Sequence, residues 1–235
     1  MGTDIEPEAG PRAGGADDRI LRNTRAARRL HLVVYVGITL LFVSGVSLLG
    51  NGIPRIEALF GGHESTGRWH RWIGFALIAL ALLVSLVRTR SVRRFLRESV
   101  RFRAADVDWF LTYPRFVTRP ARNAPSRHDG HFDPGQRVFN CVIVVAFLVL
   151  SVTGLFMSFP DRFTPAVFAW SFRLHRWATW AVVVAVVGHV LIASGLLRAY
   201  RGVWRAMHGS GRVDAALAER LWPAWAEEES GSEGS

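Results

Sequence analysis

Four of the eight histidines in this 235-residue chain fall in or at the edge of long apolar runs: His31, His70, His175 and His189. Two of them occupy near-copies of one motif, Arg68-Trp69-His70-Arg71-Trp72 and Arg173-Leu174-His175-Arg176-Trp177, each at the mouth of such a run. Ionisable side chains inside a membrane are costly and mark functional sites by default. One alone would serve as well as a buried hydrogen bonder; four ask for a joint explanation. Their depths pair. Fourteen residues separate His175 from His189, about 21 Å along a helix and only about 40° off the same face. One helix therefore carries two imidazoles at two depths, and each has a partner at matching depth on another helix: His70 with His175, His31 with His189. Opposed imidazoles suit ligation of haem iron from both sides, which leaves no position for a substrate and suits electron shuttling. Two haems are thus expected, with these four histidines on the iron. Zinc fits poorly, because it takes three or four protein ligands where each depth supplies two nitrogens.

The single cysteine, Cys141, excludes an intramolecular disulfide, a four-cysteine metal site and a C-x-x-C-H attachment, so the haems would be b-type. Cys141 itself reads as a small core residue. Arg68, Arg71, Arg173 and Arg176 surround the His70–His175 depth, where arginine can pair with the cofactor's propionates. The plain alternative is arginine and tryptophan marking a membrane boundary. Gly45 and Gly154 stand at the same depth and would let a flat macrocycle lie against the backbone, although close helix packing wants small residues equally. His63, His128, His131 and His208 fall in loops or tails and read as ordinary solvated residues.

The elements that must position these groups are helices. Four apolar runs approach the roughly 20 residues needed to cross a hydrocarbon core, so the fold class is all-α, an integral membrane four-helix bundle. The spans are expected at about 31–50, 66–88, 134–159 and 165–198. The second is short unless its helix begins within the segment holding His70. Thr164-Pro165 and Asp133-Pro134 each read as a capping residue followed by proline in the first turn. No span carries an internal proline.

All 29 basic residues are arginine, and the formal net charge is +10. A nucleic-acid binder would gather that charge into one domain; here it follows topology. Six arginines precede the first span, twelve lie between Arg88 and Arg137, and five follow from Arg198. The positive-inside rule then predicts cytoplasmic N and C termini and a cytoplasmic central connection, in a multi-pass protein of the inner membrane. No cleavable signal peptide is expected, since the first thirty residues are polar. Residues 1–21 read as a disordered tail, 22–208 as the four-helix transmembrane domain, and 209–235 as a cytoplasmic tail ending in a disordered Ala226–Ser235 segment.

A weak internal repeat runs through the bundle. Arg28-Arg29-Leu30-His31 aligns with Arg137-Val138-Phe139-Asn140, and Ser44-Gly45 with Thr153-Gly154. The two histidine motifs follow at comparable distances. This is a parallel duplication of a helical hairpin, unlike the inverted repeats of many transporters.

The spans, the histidine positions and the spacing on the last helix resemble the gamma subunit of membrane-bound formate dehydrogenase. The central segments Asp108-Trp109-Phe110 and Phe132-Asp133-Pro134-Gly135-Gln136-Arg137 look like that family's aromatic-Asn-x-Gly-Gln-Lys region, and the likeness covers about residues 22–205. It implies an iron–sulfur subunit, alongside a catalytic subunit, delivering electrons to the outer haem, and quinone reduction near the inner one. The implied quinone pocket comprises Asp133, Gly135 and Gln136 beside His189. The family's asparagine is Asp133 here, which could relay a proton and is also a good helix cap. The likeness leaves room for homo-oligomerisation of such a complex. Rival readings are a diheme cytochrome b of a hydrogenase or thiosulfate reductase, a stand-alone superoxide:quinone oxidoreductase, and a haem-free anchor or transporter.

Overall fold

The computed structural model describes residues 19–49, 52–120, 122–123 and 125–232. The disorder expected for residues 1–18 lies outside them. Four helices are long and apolar enough to cross a membrane: α1 (Arg25–Ser47), α3 (His63–Val87), α6 (Pro134–Ser158) and α7 (Pro165–Ala193). Between them run α2 (Pro54–Phe60), α4 (Thr89–Ser99) and α5 (Ala105–Thr118). The chain ends with α8 (Arg205–His208), α9 (Ala215–Leu221) and α10 (Pro223–Ser232).

Local chemistry explains the helix starts. Thr24 caps α1, its hydroxyl accepting from the Ala27 amide at 3.2 Å. Asp133 caps α6 by accepting from the Gln136 amide at 2.8 Å, with Pro134 in the first turn. Thr164 and Pro165 do the same for α7. Side-chain oxygens satisfy amides that the helix itself leaves unpaired, and proline costs nothing where no amide is needed. The second span begins at His63, which solves the length problem of its apolar run and puts His70 inside the helix. The first begins six residues earlier than its apolar run suggests, because α1 carries its polar first turns beyond the apolar stretch.

The spans form two antiparallel hairpins, α1 with α3 and α6 with α7, joined where α3 meets α6. This is the duplication visible in the repeat. Their apolar side chains are largely uncovered by protein, as with Leu83, Leu86, Val145 and Val184. In hydrocarbon an exposed leucine carries no penalty, so helices associate through packing and polar contacts instead.

The buried apolar core lies elsewhere, at the end of the bundle where α3 finishes and α6 begins. There Phe116, Tyr200, Val213, Leu221, Trp222 and Trp225 pack together. Two expectations fail in this region. Residues 19–21 belong to no disordered tail: they form strand β1 (Arg19–Leu21), paired antiparallel with β2 (Arg212–Asp214), Ile20 opposite Val213. Nor is the segment from Ala226 disordered as far as Ser232, since it continues α10 and buries Ala226. The physical reason is shared. Composition marks these segments as polar, but Ile20, Val213, Trp222 and Trp225 each find an apolar partner at the water-facing end. Arg22 fastens the arrangement, its guanidinium lying 4.4 Å over Trp222 and 4.2 Å over Trp225 while donating to the His131 carbonyl at 2.6 Å.

Candidate functional site

α3 and α7 bring His70 and His175 together with ring centres 6.3 Å apart, and α1 and α7 bring His31 and His189 to the same 6.3 Å. With a metal–imidazole bond of about 2.0 Å and a nitrogen about 1.1 Å from its ring centre, two rings on opposite sides of one ion stand about 6.2 Å apart. Both pairs match that spacing. Among the described residues no group of three or more His, Cys, Asp or Glu side chains converges as a metal site. The donor set therefore fits a metal that brings its own equatorial ligands, as haem does.

The first pair opens on a cavity of about 820 Å³ lined by all four spans, including His70, His175, Gly154, Phe147, Ile78 and Val186. That is the size of a cofactor pocket, mostly apolar with a few polar groups fixing orientation. The polar groups are well placed. Ser44 Oγ lies 2.9 Å from His70 Nδ1, and Thr153 Oγ1 lies 2.9 Å from His175 Nδ1. The glycines that follow leave room for the rings. A Cβ on Gly45 would stand 3.2 Å from His70 Cε1, and one on Gly154 would stand 3.6 Å from His175 Cε1. Both positions thus make way for an imidazole.

Of the four arginines expected around this depth, the structure brings Arg68 and Arg71 to the cavity wall. Arg173 and Arg176 do not line it. Their guanidinium groups lie over Trp170 at 5.2 Å and Phe172 at 5.7 Å on their own helix. Residues three and four apart on a helix share a face, and here the aromatic neighbour captures the cation.

The second pair has company that the sequence did not announce. Phe139 stacks on His189, ring centres 4.6 Å apart and planes at 14°. His208 is no bystander in a tail: its ring centre is 5.8 Å from that of His31 and 6.0 Å from Tyr35. The chain returns it there through left-handed turns at Gly195 and Gly202. His31 Nδ1 is buried with no hydrogen-bond partner among the described residues. Such a nitrogen is costly unless it binds something.

Phe139 lies on α6 about one turn after Gln136, and the helix begins after Asp133. Asp133 serves as the α6 cap. Gly135 admits Trp109, whose ring edge would meet a Cβ there at 3.0 Å. Gln136 is half-buried beside them. Tyr200 donates to the Tyr113 hydroxyl at 3.3 Å, and burial, then the Asp133 carboxylate, pushes the Tyr200 phenol above its ordinary value. Arg137 is almost wholly buried and donates to Asp106 at 2.8 Å and to the Arg101 carbonyl at 2.7 Å. Asn140, the repeat counterpart of His31, donates to Ser99 Oγ at 3.0 Å. Cys141 is half-buried and donates to the Ser99 carbonyl at 3.3 Å.

Two further loop histidines are not freely solvated. His128 is buried, its Nε2 donating to the Leu221 carbonyl at 2.9 Å, and burial lowers its basicity. His131 is pushed down to about 3 by burial, then by Arg22 and Arg94. His63 is exposed and pairs with Glu57 at 2.6 Å. In sequence His131 has only Phe132 as an aromatic neighbour; Trp225, whose ring centre is 6.1 Å away, is remote along the chain, so no local pattern announced this burial.

No curated protein matches the chain in a sequence comparison. The profile of one family, described as prokaryotic cytochrome b561, matches residues 22–210, which takes in all four spans, both histidine pairs and His208. Members of that family are membrane electron-transfer proteins that bind b-type haems. The chain belongs to the prokaryotic cytochrome b561 family.

Proposed function

We propose that this chain is the membrane cytochrome b subunit of a respiratory formate dehydrogenase-like complex, taking electrons from an iron–sulfur subunit and delivering them through two b-type haems to membrane quinone. The observation that carries the proposal is the pair of histidine pairs, both at 6.3 Å, at two depths of one bundle. Haem iron held by two imidazoles exchanges single electrons and keeps substrates off the metal. In this reading His70 and His175 hold one haem, with Arg68 and Arg71 for its propionates, and His31 and His189 hold the other. Among quinone-linked complexes, the likeness of the segment Phe132–Arg137, which opens the helix that also carries Phe139, favours the formate dehydrogenase type over hydrogenase or thiosulfate reductase partners. The arginine distribution supports an inner-membrane location with both termini in the cytoplasm.

In the quinone pocket, Asp133, Gly135 and Gln136 would frame the ring beside His189. The Asp133 carboxylate accepts from the Gln136 amide and thereby holds the start of α6 in place.

A pyridine haemochrome assay on the purified chain tests the haem content. About two b-type haems per polypeptide are expected, with His70→Ala and His189→Ala each losing mainly one. Absence of haem from folded protein made with ample haem supply would leave a membrane anchor or transporter. Formate-dependent reduction of the chain in membranes, abolished by loss of the neighbouring catalytic subunit, tests the partner.

A further inference from the structure

The two hydroxyls at the His70–His175 depth do more than fill space. Each already has its single proton committed: Ser44 Oγ donates to the Leu40 carbonyl at 2.6 Å, and Thr153 Oγ1 donates to the Val149 carbonyl at 2.6 Å. A hydroxyl has one donor and two acceptor positions. Toward the imidazole nitrogen 2.9 Å away it can therefore only accept. The proton must sit on Nδ1 of His70 and on Nδ1 of His175, which leaves each Nε2 with a bare lone pair. Both hydroxyls are shielded from water, Ser44 fully and Thr153 at 5% exposure, so no solvent competes for the bond. The arrangement is repeated across the duplication: hydroxyl, then glycine, with the same helical donation four residues back and the same distance to the ring.

We propose that Ser44 and Thr153 are positioning residues that fix the Nδ1–H tautomer and orientation of His70 and His175, and through those rings set the reduction potential of the group the pair holds. This rests on the haem reading above. An imidazole whose N–H donates to a good acceptor is a stronger electron donor to its metal. Both hydroxyls, being committed acceptors, favour the oxidised ion. Glycine at the next position keeps the ring from being pushed off this bond. The His31–His189 pair is built differently, since His31 Nδ1 finds no such acceptor among the described residues. The two pairs thus differ in ligand basicity by design of the second layer, although their ligands are the same.

The test uses the full chain with Ser44→Ala, Thr153→Val and the double variant, alongside Ser44→Thr and Thr153→Ser, which keep a hydroxyl. Redox titration should move one haem only, to higher potential. The expected change is about tenfold in its oxidised-to-reduced ratio, or about 59 mV for a one-electron couple. The hydroxyl-keeping variants should stay near wild type. Nitrogen-15 spectra of the histidine-labelled, haem-free chain should report protonated Nδ1 on His70 and His175. Two intact haems with unchanged potentials in the double variant would overturn the proposal, as would Nε2-protonated rings in the haem-free chain. Wild-type protein that takes up no haem would instead overturn the haem reading, and the nitrogen spectra would still decide the tautomer. Should the alanine and valine variants misfold, the nitrogen spectra of the wild-type chain decide: protonated Nδ1 on both rings supports the proposal, and protonated Nε2 on either counts against it.

Discussion

The ion pair between Arg137 and Asp106 is a demanding place to perturb this chain. The guanidinium and carboxylate side chains are 2% and 5% exposed and 2.8 Å apart. Removing one partner of such a pair strands the other charge, a loss of about 3–5 kcal/mol. Two features adjust that figure. Arg137 keeps its bonds to the Arg101 and Asp129 carbonyls, which soften the loss. Asp106 also accepts from the Arg103 amide at 2.9 Å, so Asp106→Ala orphans a backbone donor as well, about 1 kcal/mol more. The net expectation for Asp106→Ala is about 4 kcal/mol, and for Asp106→Asn, which keeps an acceptor, about 2 kcal/mol. For a chain of this length 4 kcal/mol corresponds to a fall in Tm of about 10 °C. Trp109, Trp222 and Trp225 are buried in the same water-facing unit, so tryptophan fluorescence in detergent micelles follows its melting. Replacing both partners with apolar residues of similar volume should recover most of the loss. An Asp106→Ala protein melting within about 1 °C of wild type would refute the reasoning, since it would mean that Arg137 is solvated.

Gly45→Ala should lower occupancy of the His70–His175 site more than Gly154→Ala, because its Cβ meets the histidine ring at 3.2 Å rather than 3.6 Å; haem per chain after dialysis measures the order, and a reversal would contradict the geometry. His131 must stay neutral in the folded state, its basicity depressed to about 3 against 6.5 in the unfolded chain. The unfolded state binds the extra proton between those values, so stability falls as pH drops below about 6.5, by at most about 1.4 kcal/mol per unit. Melts at about pH 7.5 and about pH 5 should differ by less in His131→Gln than in wild type, and equal differences would assign the slope to other groups.

Much of this protein can be read without coordinates. Length and apolarity alone mark four spans, because a bilayer demands a run of fixed length and tolerates little charge within it. The caps at Asp133 and Thr164 are legible because capping is chemistry between near neighbours. Pairing histidines by depth is legible too, since helical rise converts residue number into distance. Azimuth and return paths are another matter. Whether Arg68 or Arg173 faces the cavity depends on how each helix is rotated in the bundle, which lipid-exposed leucines and valines on every face do little to specify. The repeat aligned Ser44-Gly45 with Thr153-Gly154, yet that both members of each pair meet a histidine ring waited on the packing of α1 against α3 and α6 against α7. His208, Tyr35 and Phe139 join the His31–His189 pair only because turns at Gly195 and Gly202 carry the chain back. The folding of Arg19–Leu21 and of α9–α10 into a water-facing core was hidden by polar composition, since burial there is purchased by a few tryptophans far apart in sequence. What the sequence by itself determined, then, was local and periodic: spans, caps and the depths of four imidazoles. What only the tertiary structure decided was which side chains meet across helices, because that depends on rotations and long-range returns that no single stretch of residues encodes.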